Sequence, residues 1–393
     1  MGRVVLKPGR EKPVLRRHPW IFSGAVSRIE GHPQDGEVVE VVSEGGQFLA
    51  RGYLNRRSQI VVRILSWDEA EPIDEAFWWG RLQASVGRRK GLLAPNGACR
   101  LVHAESDGLP GLVVDRYGPF LVVQFLTLGV EVRRDLLVRG LVELLEPRGV
   151  FERDDEAVRE KEGLTPRVGL LWGEEPPARL EIEESDLRFL VDVRQGQKTG
   201  FYLDQRENRR KLLAYAEGRE VLNAFAYTGA FGVYALRAGA RRVVNVDTSA
   251  AVLEIAAANF VLNGWGEGRA EFVVGDVFQV LRQYREKSET FDLVVLDPPK
   301  FAHGAGDVAA ATSGYKDINL VAFQLLRQGG VLFTFSCSGA LSPALFQKVV
   351  FGAALDARRD AQVVDRMTQA ADHPVLLSFP EAEYLKGLVC QVW

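Results

Sequence analysis

Val221-Leu222-Asn223-Ala224-Phe225-Ala226-Tyr227-Thr228-Gly229-Ala230-Phe231-Gly232 reads as a buried strand that runs through a glycine-containing turn into a helix. Downstream of it, residues 242–247, 271–274, 293–297 and 330–335 are further short apolar runs, and helical stretches separate them. Strand and helix in alternation predict βαβ units, hence an α/β domain with a parallel sheet and helices on both faces. In such sheets ligands bind beyond the carboxyl ends of the strands, near the point where strand order reverses. The residues that follow each run are therefore the ones to examine.

After the first run, Asn223, Phe225, Ala226, Tyr227, Thr228 and Gly229 form a candidate ligand loop. The loop lacks the G-x-G-x-x-G spacing of dinucleotide enzymes, which disfavours a nicotinamide oxidoreductase. The second run ends at Asp247-Thr248-Ser249, where an acidic residue can hydrogen-bond ribose hydroxyls. The third ends at Asp276, a candidate for an adenine amino group. The fourth ends at Asp297-Pro298-Pro299-Lys300-Phe301 and the fifth at Ser336-Cys337-Ser338-Gly339. An aspartate at a strand end also serves as a helix cap, so each position alone says little. Taken in this order they suit one ligand, S-adenosylmethionine, with a nucleobase beside it.

Two consecutive prolines fix φ and remove two backbone donors, so the Asp297-Pro298-Pro299 turn is stiff and its carbonyls are left to accept hydrogen bonds. An exocyclic base amine needs acceptors of that kind, and Phe301 could stack on an extruded base. Cys337 discriminates between chemistries. Carbon-5 of cytosine is a poor nucleophile, and a thiolate added to carbon-6 turns it into an enamine carbon that accepts a methyl group. A free thiol ionises near pH ~8.5, so a positive neighbour would help, and Lys300 is the candidate. The competing reading of Cys337 is a buried structural thiol. Cys99 and Cys390 lack such a context and read as structural.

The rest of the chain frames this domain. With 393 residues, two or three domains are expected. Residues 1–66 read as all-β, with strands over 4–6, 37–42, 47–54 and 59–65 and a hairpin loop at 43–46. Residues 67–178 read as an α+β unit, with helices over 73–90 and 130–145 and strands over 100–105, 112–115, 120–126 and 150–153. A hairpin turning at Ser185-Asp186 opens the catalytic region, 179–393. Net charge is −3, yet residues 1–65 carry eleven Lys/Arg against six Asp/Glu. In that segment Arg16, Arg17 and Trp20 place basic and aromatic side chains together, which suits phosphate contact with base stacking, or else a loop anchored by a buried tryptophan. The five histidines (His18, His32, His103, His303, His373) and three cysteines show no metal-ligand spacing and no disulfide framework. No apolar run reaches the ~18 residues of a membrane span, and the N-terminus lacks a signal-peptide core, so a cytoplasmic location without membrane or metal is expected.

The run Gln197-Lys198-Thr199-Gly200-Phe201-Tyr202-Leu203-Asp204-Gln205-Arg206-Glu207-Asn208-Arg209, with the motifs above and the tail Asp372-His373-Pro374 and Glu383-Tyr384-Leu385-Lys386-Gly387, resembles the RlmI type of bacterial large-subunit ribosomal RNA cytosine-5 methyltransferases. The resemblance spans essentially the whole chain. It implies a Rossmann-like class I methyltransferase domain with S-adenosylmethionine as cofactor, preceded by an N-terminal PUA-like RNA-binding β-barrel. It implies that Phe201, Tyr202 and Asp204 join the cofactor pocket, that Asn223, Gly229, Asp247, Asp276 and Asp297 follow as argued, and that Cys337 is the nucleophile. Asp297 would hold the cytosine amino edge. Many RNA cytosine-5 methyltransferases carry a second cysteine where this sequence has Lys300, which leaves the base that removes the carbon-5 proton unassigned, with Lys300 one option. The expected partner is ribosomal RNA, as 23S rRNA or a large-subunit precursor; the oligomeric state is open, a homodimer among the options. Two other readings stay in play: methylation of guanine at nitrogen-7 or nitrogen-2, which needs no thiolate, and an RNA-binding assembly factor with a vestigial cofactor pocket.

Overall fold

A computed structural model describes residues 1–266, 268–302 and 304–393, so His303 lies outside the described residues. The chain forms two compact units. The first comprises Met1–Ile182, Asp192–Leu203 and Asp372–Ala382; the second comprises Glu183–Val191, Asp204–Ala371 and Glu383–Trp393. Among the described residues there are three larger sheets and one two-stranded hairpin.

The first unit opens with β1 (Gly2–Leu6), the short helix α1 (Lys12–Leu15), β2 (Trp20–Phe22), β3 (Val26–Glu30), β4 (Val38–Val42), β5 (Phe48–Leu54) and β6 (Ile60–Ser66), in the sheet order β2-β6-β5-β4-β1-β3. Alternate valines and leucines of these strands (Val4, Leu6, Val39, Val41, Val62) fill one core. The expected hairpin joins β4 and β5, whereas β2 and β3 were not expected as strands. Both are short, and Trp20–Phe22 offers only three residues of pattern.

Next come α2 (Glu75–Arg88), β7 (Ala98–His103), β8 (Leu112–Tyr117), β9 (Phe120–Phe125), α3 (Leu128–Glu131), α4 (Arg134–Leu145), β10 (Gly149–Arg153), α5 (Glu156–Lys161) and β11 (Val168–Gly173). The sheet order is β11-β10-β9-β8-β7. Asp74 starts α2 by accepting from the Phe77 N–H. The helix expected over 130–145 is broken into α3 and α4. Strand β11 escaped the sequence reading because it sits at the sheet edge and has glycine at two of its six positions, so it shows no clean alternation.

A buried polar network holds the later segments of this unit in place. Arg100 makes a two-pronged ion pair with Asp115 (2.7 and 2.8 Å), and Asp115 accepts from the Thr199 hydroxyl. Thr199 also meets the Tyr117 hydroxyl at 2.8 Å, and Tyr117 accepts from the Phe201 N–H. Arg89 pairs with Asp107, and the Arg89 guanidinium and the Arg100 backbone N–H both donate to Asp372. Asp372-His373-Pro374 thus serves as a structural anchor. Burial, with Arg100 and His373 close by, holds the His103 imidazole well below its ordinary pKa.

The second unit is reached through β12 (Leu180–Glu184) and β13 (Leu187–Val191), joined at Ser185 and Asp186, both at positive φ (51° and 65°) as a two-residue type I′ hairpin requires. The unit boundary falls inside β12. Then follow α6 (Arg206–Leu212), β14 (Glu220–Ala224), α7 (Ala230–Arg237), β15 (Arg242–Asp247), α8 (Ala250–Leu262), β16 (Ala270–Val274), α9 (Val277–Glu286), β17 (Phe291–Leu296), α10 (Val308–Leu325), β18 (Leu326–Ser336), α11 (Pro343–Asp356), β19 (Ala361–Thr368) and β20 (Lys386–Val392). Sheet order is β16-β15-β14-β17-β18-β20-β19. The first five are parallel, and β20 runs antiparallel between β18 and β19. The α/β reading holds, with the strand order reversing between β14 and β17.

Arg209 on α6 forms a two-pronged pair with Glu184 (2.7 Å each), and the Tyr234 hydroxyl donates to the same carboxylate. Burial opposes the Arg209 charge, but Glu184 outweighs it and the guanidinium pKa is raised. Removing one partner strands the other in the core, so Glu184→Ala should cost roughly 3–5 kcal/mol. A urea melt followed by tryptophan fluorescence checks this; an unchanged midpoint would show the pair to be energetically neutral.

Candidate active site

The turn after β14 carries unusual backbone strain. Phe225 and Tyr227 sit at φ 60° and 48°, a region that bulky side chains seldom adopt, and Gly229 at φ 77°. A Cβ on Gly229 would lie 2.9 Å from the Ala256 side chain, so only glycine fits. The turn persists because its surroundings over-determine it. The Ala226 N–H donates to the Val246 carbonyl and the Tyr227 N–H to Asp247 Oδ2, both 2.9 Å. Asp247 Oδ1 accepts from the Ser249 N–H. Thr228 is buried and its hydroxyl has no hydrogen-bond partner. An orphaned hydroxyl in a strained loop, a glycine with no room for a Cβ and a carboxylate at the next strand end fit the adenosyl part of S-adenosylmethionine.

The other expected cofactor residues take varied places. Asn223 is buried and donates to Asn245 on the adjacent strand. Ser249 caps α8 and Asp276 caps α9, while Thr248 is exposed. Asp204 accepts from the Tyr384 hydroxyl at 2.6 Å. Phe201 and Tyr202 belong to the first unit, where the Tyr202 hydroxyl donates to Gln197 and its ring lies under the Lys198 ammonium.

Beyond β17 and β18 the motifs converge. The Cys337 thiol lies 4.0 Å from the Pro298 carbonyl oxygen and is partly exposed. The Ala302 N–H and the Tyr315 hydroxyl both meet the Ser338 hydroxyl, at 3.2 and 3.1 Å. Phe301 packs on Tyr315, ring centroids 4.6 Å apart, and so pins the Asp-Pro-Pro turn to α10; much of its ring is used inside the fold. Lys300 is exposed. The cation that sequence reasoning missed is Lys386. It is buried and donates to the Ser338 and Leu341 carbonyls at 2.6 and 2.8 Å. No spacing rule could reveal it, because it comes from the far end of the chain. Cys99 and Cys390 are buried, and burial pushes the Cys390 thiol up to about 12.

In the first unit Arg16 and Arg17 are exposed. Trp20 is not a free stacking surface: its indole N–H donates to Glu105 at 2.7 Å and its ring packs on Phe379. Among the described residues no group of His, Cys, Asp or Glu could hold a metal ion, and no helix is long and apolar enough to cross a membrane.

Residues 165–388 match the family described as S-adenosylmethionine-dependent methyltransferase, and residues 4–67 a PUA-like domain. The chain is 51% identical over 389 residues to the ribosomal RNA large subunit methyltransferase I of Aeromonas hydrophila, covering 98% of each chain. To the protein of the same name from Escherichia coli O157:H7 it is 49% identical over 392 residues, covering 99% of each. The chain belongs to this methyltransferase family. S-adenosylmethionine is its cofactor. Two solved structures share the fold along the entire length of both chains. One is a Streptococcus mutans protein described as SAM-dependent methyltransferase (TM-score 0.85, 23% identity); the other is described as a methyltransferase complexed with SAH (TM-score 0.87, 24% identity).

Asp247 holds the Tyr227 and Ser249 N–H groups, so Asp247→Ala should weaken S-adenosylmethionine binding by about 10- to 100-fold, the worth of losing charge-assisted hydrogen bonds. Isothermal titration calorimetry checks this; retained affinity would remove Asp247 from the cofactor site.

Proposed function

We propose that the protein methylates carbon-5 of a cytosine in large-subunit ribosomal RNA, with Cys337 as nucleophile. The observation that carries this reading is the partly exposed Cys337 thiol held 4.0 Å from the Pro298 carbonyl at the carboxyl ends of neighbouring strands. A methyltransferase acting on a ring or amino nitrogen has no use for a thiol there. The names of the relatives support large-subunit rRNA as the substrate class.

In this mechanism the base enters beside the Asp-Pro-Pro turn, and Asp297 with the proline carbonyls accepts from its exocyclic amine. The Cys337 thiolate adds to carbon-6, which makes carbon-5 electron-rich. S-adenosylmethionine, when bound, supplies an electrophilic methyl group. With the methyl group on carbon-5, a base or solvent water takes the carbon-5 proton, the electron pair of that C–H bond re-forms the 5,6 double bond, and the thiolate leaves carbon-6 and frees Cys337. The loop 225–229, Asp204, Asp247, Thr248, Ser249 and Asp276 hold the cofactor, and Lys300 lends positive charge at the rim. Phe301 contributes its exposed edge to the base.

The division of labour that fits is RNA binding by residues 1–66 through Arg16 and Arg17, a central α+β domain over 67–178, and methyl transfer by 179–393, in a cytoplasmic enzyme.

Nucleoside mass spectrometry of unmodified 23S rRNA, incubated with enzyme and labelled S-adenosylmethionine, tests the reading. Label is expected in 5-methylcytidine, and Cys337→Ala should abolish it. Label in a methylguanosine, undiminished by Cys337→Ala, would overturn both target and nucleophile.

A further inference from the structure

Lys386 is the first residue of β20 and stands directly opposite Ser336, the residue before Cys337, in the antiparallel pairing of β20 with β18. A buried ammonium is costly and is normally matched by a carboxylate. Here, among the described residues, Lys386 pairs with none. Two of its three N–H donors go to the backbone carbonyls of Ser338 and Leu341, which bracket the turn just after the thiol. Those carbonyls belong to the backbone that directly follows Cys337. The thiol is also close enough for its charge to act on the ammonium.

Resting on the reading of Cys337 as nucleophile, we infer that Lys386 is its positioning residue: it clamps the Ser338–Leu341 turn and provides the buried positive charge that favours the thiolate. Lys300 is unsuited to that task, because its exposed charge is screened by solvent. Among the described residues, groups that bear on the Lys386 ammonium or the thiol include Cys337 itself, Lys300 from the Asp-Pro-Pro turn, Glu383 just before β20, and Tyr315 from α10. Burial is the largest influence and lowers the Lys386 pKa to about 8, Lys300 acts in the same direction, and Cys337 and Glu383 oppose it. An ammonium with that value is still mostly charged at neutral pH, as the role requires.

The test reads the thiol directly, without RNA. Cys337 is the partly exposed cysteine and the other two are buried, so iodoacetamide labels it selectively, and mass spectrometry of the full-length protein locates the label. The labelling rate against pH gives the ionisation midpoint of Cys337. Lys386→Met keeps the apolar stem and removes the charge. It should raise the midpoint by about one pH unit, the usual size of a nearby-charge effect, and lower kcat about tenfold with little change in the KM for S-adenosylmethionine. Lys386→Arg should recover part of the midpoint shift. A Lys386→Met protein with wild-type cofactor affinity and an unmoved midpoint overturns the inference. Should that variant not fold, the wild-type midpoint decides: a value at or above the ~8.5 of an ordinary free cysteine overturns it as well. Loss of methylation in Cys337→Ala alongside an unmoved midpoint in Lys386→Met sinks the role of Lys386 alone, whereas retained methylation in Cys337→Ala sinks the nucleophile reading beneath it.

Discussion

The catalytic half of the molecule depends on parallel pairing of β14 with β15 on one side and β17 on the other. From β14 the chain steps outward through β15 to β16, then returns to the other side of β14 and steps outward again through β17 and β18. At that reversal the connections leave in opposite directions, which in sheets of this kind opens a crevice at the carboxyl ends of the strands. Phe225 to Gly229, Asp247, Asp276, Asp297 and Cys337 stand at or just beyond a strand end on that edge, whereas Asp204 lies just before α6. Strands β14, β15 and β17 are mostly apolar and buried, and Asn223 and Asn245 inside them satisfy each other.

The antiparallel insertion of β20 adds what the parallel strands alone cannot. A βα unit ends each strand in a turn whose later course is free. Because β20 lies against β18 in the opposite direction, its first residue is brought level with the last residue of β18. Lys386 can therefore reach the turn after β18 from a rigid element. Ser338 is tied down from three other directions: its hydroxyl by Ala302 and Tyr315, its N–H by the Ser336 hydroxyl. These bonds fix the residue that directly follows Cys337.

The parallel core was legible because its strands are long enough to show an apolar run and its helices long enough to show a period. Each candidate residue at the carboxyl edge could be named from its place after such a run. What escaped notice lay where pattern is short or non-local. Strand β2 has three residues; β11 is an edge interrupted by glycine; β19 and β20 are recognisable as sheet members only once paired. Trp20 shows the limit of composition. Beside Arg16 and Arg17 it reads as a stacking platform or an anchor, and only the Glu105 and Phe379 contacts reveal that it is anchored. Lys386 shows the same limit from the other side: no local property marks it, and its meaning comes from strand register.

Asp247 and Asp276 read from sequence as helix caps or ligand groups; Asp276 caps α9, whereas Asp247 holds the turn after β14 and leaves the capping of α8 to Ser249. A carboxylate offers about four lone-pair sites. Asp276 spends one on the Gln279 N–H, and Asp247 spends two on the Tyr227 and Ser249 N–H groups. These bonds hold each carboxylate at its strand end and leave acceptor capacity over. For Asp247 the coupling goes further. The Tyr227 N–H it accepts belongs to the turn with two bulky residues in the left-handed region, so the same carboxylate that would meet a ribose also holds the loop in its strained shape. Asp247 thus supports the loop from the end of the next strand, and its replacement would remove both of these bonds at once.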